Sequence, residues 1–185
     1  MELKKEYPLK TPLSIYQQIV CGAVFIGLQG LSFAQPYALP DRSLTPGAID
    51  PAVNQNNIQS TVCVRGYTKK VRPDKKYTNR LKHEQIQQYR YADRDVRNYE
   101  LDHLIPLNIG GNPSDPKNLW PQSRQGEWSA EQKNDLEFVV YKMVCQGEIT
   151  LFDAQQKIAK DWIEAYQAWV PTHQHLLPHK RRTDD

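Results

Sequence analysis

The chain has 185 residues, with 24 Lys and Arg against 21 Asp and Glu and a formal net charge of +3. This length suits one domain with extensions, and so small a net charge does not by itself indicate a charged partner. Ten Tyr, four Trp and thirteen Pro are typical of a small, loop-rich domain, and the lack of any internal period excludes a repeat protein.

Residues 1–34 have the pattern of an export signal. Three lysines precede an apolar run over 19–31, and Ala34 ends a stretch of small residues that suits a cleavage site. An uncleaved membrane anchor is the alternative, but the run is shorter than the roughly 20 residues that a spanning helix needs. We therefore expect cleavage near Ala34, a secreted or periplasmic protein, and no stable membrane association afterwards.

Cleavage would leave Cys63 and Cys145 as the cysteines of the mature chain. Their compartment would be oxidising, and no CxxC motif or Cys/His cluster accompanies them. We therefore predict a disulfide between the two, with a pair of buried thiols as the alternative.

Three segments are predicted along the mature chain. Residues 35–60, rich in Pro, Asn and Gln, are predicted to form an extended arm or linker that could wrap the domain. The domain itself is predicted over 61–171, and a polar, basic tail over 172–185.

The first part of the predicted domain is basic. Residues 64–97 hold eleven Lys or Arg against four Asp or Glu, which favours polyanions such as nucleic acid; a solvated surface is the alternative. Valines over 61–71 predict one or two short strands. Apolar residues at helical spacing over 79–91 predict a helix that Thr78 caps.

The centre of the chain predicts two strands joined by a loop. A short, partly β-branched segment over 100–105 is stopped by Pro106, and a Gly/Pro/Asn-rich loop follows. A second strand is predicted over 118–121.

Two helices are predicted after the second strand. Ser129 and Gln132 form a capping box that begins the first helix, which Gly147 ends. The second helix is predicted to run from Thr150 to Pro171, because its apolar residues follow the helical period throughout.

The segment over 99–122 carries four short motifs in a fixed order: Asp102-His103, Pro106-Leu107, Gly110-Gly111 and Asn118-Leu119-Trp120-Pro121. This order resembles the HNH (His-Me finger) nuclease family, in particular its small exported bacterial members. The nuclease motif covers 99 to about 141, and flanking features extend the resemblance over most of the mature chain. The resemblance implies an α+β fold, with a ββα-metal unit over about 99–146 embedded in a small, mostly helical single domain.

The resemblance also implies a secreted, metal-dependent endonuclease of low sequence specificity that hydrolyses phosphodiester bonds in DNA, with RNA as an alternative substrate. His103 would act as the general base, since a neutral imidazole accepts a proton from water near pH 7. Asp102 would bind one divalent metal that stabilises the leaving oxygen. Asn118 would brace the loop and keep the catalytic imidazole oriented.

A second metal ligand is expected on the helix after Ser129, because one carboxylate binds a divalent ion poorly. No His lies within 129–141, so Asn134 is predicted for this position, with Asp135 and Glu137 as alternatives. Oxygen ligands favour Mg²⁺ or Mn²⁺, with Ni²⁺ or Zn²⁺ as further alternatives.

The phosphate contacts are predicted for Arg94, Arg97 and Arg124, which are the nearest basic residues to the motif in sequence, and for Arg72, which belongs to the basic segment over 64–97. One geometric difficulty is apparent. Neighbouring strand residues point to opposite faces, so Asp102 and His103 can share one centre only if the strand ends or bulges there.

The expected partner is nucleic acid, and the protein is expected to be a monomer. Two other functions are compatible with the motifs: a catalytically inactive HNH scaffold that binds nucleic acid or a surface, and a toxin or effector nuclease that needs an immunity or inhibitor protein. The absence of His from the helix after Ser129 is the reason that the inactive scaffold stays an alternative.

Overall fold

An antiparallel hairpin lies at the centre of the computed structural model, which describes residues 38–178. Strand β1, Tyr99–His103, pairs with strand β2, Leu119–Ser123, so that Asp102 faces Trp120 and His103 faces Leu119 across the ladder. Together with the helices around it, this hairpin gives the α+β class that the sequence predicts. The predicted export signal, its cleavage site and the end of the predicted tail lie outside the described residues.

Five α-helices surround the hairpin within the described part of the chain: α1 Tyr67–Val71, α2 Lys75–Gln88, α3 Ala130–Gln146, α4 Leu151–Lys160 and α5 Trp162–Trp169. Helix α2 packs on one side of the hairpin, and Gln85 donates from there to Leu119 O at 2.6 Å. The apolar core lies on the other side, where buried Trp120 joins residues of α3, α4 and α5.

The start of α3 follows the predicted capping box. The Ser129 side chain accepts from the first turn, and the Gln132 side chain accepts from the Ser129 N–H. The helix ends at Gly147, which adopts a left-handed φ of 78°. Both bounds were predicted, and both are confirmed.

The strands predicted over 61–71 are wrong. The backbone there forms local turns instead: Val64 N–H donates to Thr61 O and Tyr67 N–H donates to Val64 O, and α1 follows. Those local bonds satisfy the N–H groups that a strand would need a neighbour to satisfy. The next helix also begins earlier than predicted, because Asp74 rather than Thr78 caps it by accepting from Tyr77 N.

The single helix predicted from Thr150 to Pro171 is divided in two. Asp161 has extended backbone angles, and its side chain accepts from the N–H groups of Ile163 and Glu164, which makes it the cap of α5. The apolar period continues across this break, so periodicity alone could not locate it.

Residues 38–60 pack against the loop between the strands. Gly47 N–H donates to Lys117 O, Asp50 N–H donates to Gly110 O and Asn112 N–H donates to Ala48 O, all within 2.9 Å. Only the end of this segment is helical, as a turn of 3-10 helix over Gln55–Ser60. The segment therefore supports the loop that follows β1.

Cys63 and Cys145 form the predicted disulfide, with their Cα atoms 5.7 Å apart. It joins the turn before α1 to the last turn of α3, so it fixes the start of the basic segment that contains α1 and α2 to the end of α3. Within residues 38–178, no helix has the length and apolar character needed to cross a bilayer.

Candidate functional site: an imidazole at a cationic cleft

His103 is the last residue of β1 and is only 4% exposed. Its Nε2 lies 2.9 Å from the carbonyl oxygen of Pro113. A carbonyl oxygen can only accept, so Nε2 carries the proton and the lone pair of the neutral ring is on Nδ1. The fold therefore selects the tautomer in which Nδ1 is the basic atom.

Burial lowers the pKa of His103, because the low-dielectric surroundings disfavour the charged ring. The bond to Pro113 O and the charge of Asp102 oppose this change, whereas the positive charges of Arg72 and Lys133 add to it. The ring is therefore neutral at pH 7 and available to accept a proton.

Asn118 connects this ring to the loop that holds it. The side chain is wholly buried, and its Oδ1 accepts from Ile105 N at 2.9 Å. Its Nδ2 donates to Ile105 O and to Asn112 O, both at 3.0 Å. Asn112 precedes Pro113, so these bonds fix the backbone next to the carbonyl that orients His103.

The glycine pair in the loop has a steric purpose. A Cβ on Gly111 would lie 1.7 Å from Ile105 O, which no side chain could accommodate. Gly110 has a φ of 76° and packs against Val53 of the preceding segment. The close return of the loop over the end of β1 thus depends on both residues.

The side chains of Asp102 and His103 lie on opposite faces of the hairpin, because neighbouring side chains alternate along a strand. Asp102 faces α3, where its Oδ2 lies 2.6 Å from Lys133 Nζ. His103 instead lines a cleft against α2, together with Lys75 and Lys82. No bulge brings the two side chains to one centre, because both residues belong to the regular ladder.

Lys133 lies at the centre of a buried ionic cluster. It is 1% exposed, and its Nζ donates to Glu137 Oε1 at 2.6 Å and to His103 O at 2.7 Å. The contact with Asp102 Oδ2 has the distance of an ion pair but not the angle of a hydrogen bond. Three oxygen atoms from two strand residues and one helix residue therefore surround one ammonium group.

The charges in this cluster shift the pKa values of Lys133 and Glu137. Burial alone would lower the pKa of Lys133, but the negative charges of Asp102 and Glu137 outweigh it, and the pKa is raised. Burial raises the pKa of Glu137 to about 7, with Lys133 opposing the rise and Asp102 adding to it. Lys133 is consequently charged throughout the physiological range.

The residues around Asp102 do not fit a divalent metal in this arrangement, because the ammonium of Lys133 lies where a metal shared by Asp102 and Glu137 would lie. Asn134, the predicted second ligand, is exposed on α3, and within 38–178 no hydrogen bond or ion pair joins it to Asp102. Nor do three or more His, Cys, Asp or Glu side chains converge anywhere in that range. The divalent metal stays a prediction from the resemblance.

The cleft beside His103 has a volume of about 230 Å³ and is strongly cationic. Its charged residues lie on α2, on β1 and directly after α1 and β2: Arg72, Lys75, Lys82, Glu100 and Arg124. Glu100, the one carboxylate among them, is paired with Arg124 at 3.1 Å. The remaining cations leave a positive field in front of the imidazole.

Two of the four predicted phosphate-binding arginines line this cleft, namely Arg72 and Arg124. The other two do not. Arg94 is exposed elsewhere on the loop before β1, and Arg97 forms a two-pronged pair with Asp95, with the closest contact at 2.6 Å. Sequence distance to the motif was therefore a poor guide to the walls of the cleft.

Several residues of the site were not predicted. Lys75 and Lys82 are seven residues apart on α2, and Thr78 and Asn79 between them also line the cleft, so a polar stripe at helical spacing was the available signal. On α3, Glu137 was predicted only as an alternative metal ligand. Lys133, four residues before it at the spacing of a helical ion pair, was not predicted. The expected metal ligands were oxygen ligands, so a lysine was not predicted for this position.

The sequence matches no protein-family model, and comparisons with curated proteins and with solved structures find no significant match.

Proposed function

We propose that the protein is an exported endonuclease of the HNH type, in which His103 is the general base. The observation that carries the proposal is the imidazole itself: its tautomer is set by Pro113 O, and it lines a cleft walled by cationic side chains. The order of β1, β2 and α3 supports an HNH arrangement, as do the motifs that these elements carry. The disulfide supports export to an oxidising compartment.

The proposed step begins at Nδ1 of His103. Nδ1 takes a proton from water, and the resulting hydroxide oxygen bonds to phosphorus. The bond from phosphorus to the 3′ oxygen breaks, and that oxygen leaves with the electron pair and takes a proton from solvent. The lowered pKa of His103 keeps the base unprotonated at pH 7, which this step requires.

The cationic side chains of the cleft would neutralise the negative charge of the phosphate. Arg72 lies close enough to His103 to affect its pKa, so a phosphate bound by its guanidinium would lie beside the base. Lys75 and Lys82 add to the positive charge of the same cleft. These groups contact backbone phosphates rather than base edges, which favours cleavage of DNA or RNA with little sequence preference.

A cleavage assay tests the proposal. His103→Gln keeps a side-chain N–H that can reach Pro113 O but removes the basic nitrogen, and His83→Gln, an exposed site on α2, is the matched control. Supercoiled plasmid and a structured RNA are incubated with each protein, in EDTA and with Mg²⁺ or Mn²⁺. We expect cleavage by the wild type and by His83→Gln, and a loss of about 100-fold or more in His103→Gln.

A wild-type protein that leaves both substrates intact under all of these conditions would refute the proposal, as would equal rates for the two variants. The same experiment separates a second candidate, a nucleic-acid-binding protein on an inactive scaffold. The ammonium of Lys133 beside Asp102 favours that candidate, since it takes the place of the expected metal. Binding of both substrates without cleavage would be its result.

A further inference from the structure

The cation next to the end of β1 is supplied by the chain itself. Lys133 Nζ donates to Glu137 Oε1 and to His103 O and forms an ion pair with Asp102 Oδ2, so three oxygens lie within 2.7 Å of it. The lysine is 1% exposed, so almost none of its side chain contacts solvent. This is the ligand set that a small cation would need, and an ammonium group fills it.

A divalent ion cannot share this position. An ion bound to both carboxylates would have to lie about 2.1–2.6 Å from each oxygen, which is the region that Nζ occupies. The two positive charges would also repel each other strongly in a buried setting. Binding of metal between Asp102 and Glu137 therefore requires Lys133 to leave, and its aliphatic stem is buried on the inner face of α3.

Lys133 also acts on the residue that carries the imidazole. Its bond to His103 O holds the backbone of His103 from the helix side, while Pro113 O holds the ring from the loop side. An ammonium on a fixed helix thus fixes the end of β1 and neutralises the carboxylate next to the base. In a metal site, these two tasks would belong to the metal.

We propose that Lys133 is the resident cation of this site, that the protein binds no divalent metal between Asp102 and Glu137, and that cleavage proceeds without one. The last part rests on the proposed nuclease function, and the first two do not. Lys133 is a positioning residue here, since it contacts His103 through the backbone and is shielded from the cleft.

Metal binding tests the site directly. Mn²⁺ binding to the purified protein is measured by the loss of the free-ion electron paramagnetic resonance signal, in the wild type, Asp102→Asn, Lys133→Ala and the double variant. We expect the wild type to have no Mn²⁺ site that Asp102→Asn removes, and Lys133→Ala to gain one that the double variant lacks. Saturating Mn²⁺ should then raise the melting temperature of Lys133→Ala by about 4 °C and leave the wild type unchanged.

A wild-type protein that binds one Mn²⁺ and loses it in Asp102→Asn would overturn the inference. If Lys133→Ala does not fold, the comparison of the wild type with Asp102→Asn still decides it. Mn²⁺ that is bound equally by the wild type and Asp102→Asn lies elsewhere and leaves Lys133 as the resident cation.

The cleavage assay in EDTA tests the remaining part. We expect wild-type rates in EDTA and in Mg²⁺ to agree within about threefold, since no step requires metal at Asp102. Loss of cleavage in EDTA, with recovery on adding Mg²⁺ or Mn²⁺, would overturn metal-free cleavage. Absence of cleavage in every condition would instead refute the nuclease function, and the Mn²⁺ measurement would still decide which cation fills the site.

Discussion

Replacing Lys133 by Met is the sharpest perturbation of the buried cluster. The substitution keeps the length and apolar stem of the side chain but leaves Asp102 and Glu137 without their cation. Breaking a buried pair by removing one partner costs about 3–5 kcal/mol, because the remaining charge is uncompensated. The two carboxylates are 12% and 20% exposed at their side chains, so some solvent reaches them, and we expect a loss of about 3–4 kcal/mol at pH 7.

The loss from Lys133→Met should depend on pH. The pKa of Glu137 is about 7 with Lys133 present, and without that charge it rises further. A carboxyl group whose pKa is raised in the folded state makes the protein less stable as pH rises toward that pKa. In the variant this pKa is higher, so the loss of stability continues to a higher pH. The difference between variant and wild type should therefore grow by about 1 kcal/mol from pH 7 to pH 8, because the wild type also loses a little stability over this interval. At pH 5 Glu137 is neutral in both proteins and contributes nothing to the difference.

Urea unfolding followed by tryptophan fluorescence measures this free energy at pH 5, 7 and 8. Lys76→Met, at an exposed position on α2, is the matched control and should change stability by less than about 0.5 kcal/mol. A loss below about 1 kcal/mol for Lys133→Met at pH 8, or a loss that shrinks from pH 5 to pH 8, would refute the description of a charged, buried cluster.

Three further outcomes are expected. Arg72→Ala should weaken binding of a short DNA duplex about fivefold and reduce the slope of its salt dependence by about one. Arg97→Ala, at an arginine paired with Asp95, should do neither. Equal effects of the two substitutions in fluorescence anisotropy titrations would contradict the assignment of the cleft. Asn118→Ala should destabilise the protein by about 3 kcal/mol in urea, since it leaves buried groups of the loop unpaired, and a loss below 1 kcal/mol would count against its bracing role. Opening the disulfide by Cys63→Ser should cost about 4 kcal/mol in the chain-entropy description of a loop spanning 82 residues, and an unchanged melting temperature would contradict it.

The sequence was a good guide where local chemistry decides the structure. The capping box at Ser129 and the left-handed Gly147 set the bounds of α3, and each acts through groups within four residues. The first strand was located to within two residues, although it ends at His103 and not directly before Pro106 as predicted. The disulfide was also predicted correctly, because cleavage near Ala34 would leave Cys63 and Cys145 as the two cysteines of the mature chain.

Prediction failed where a longer-range or weaker signal decides. Valines over 61–71 favoured strands, but a two-stranded hairpin has no place for them, and the local turns before α1 satisfy the backbone instead. The helical spacing of the apolar residues does not reveal the break at Asp161, because the side chains on both sides of it face one core. Such choices depend on the rest of the fold.

The same division applies to the site. His103 and Asn118 were identified from their motif, and the structure adds the atoms that they contact. Which residues line the cleft depends on how α1 and α2 approach the hairpin. Sequence proximity pointed to Arg94 and Arg97, which do not line it, and not to Lys75, which does. Phosphate binding by any of these residues stays a prediction. Lys133 was not predicted, because the resemblance implies an oxygen ligand on α3, whereas the structure has an ammonium group beside Asp102.

The pH dependence of cleavage tests the central claim, that a neutral His103 is the general base. The acid limb of kcat/KM reports the pKa of the base in the free enzyme. Because burial lowers the pKa of His103 from its usual value of 6.5, we predict a midpoint below 6.5, and no such limb in the residual activity of His103→Gln. A midpoint above 6.5, or the same acid limb in His103→Gln, would contradict the claim.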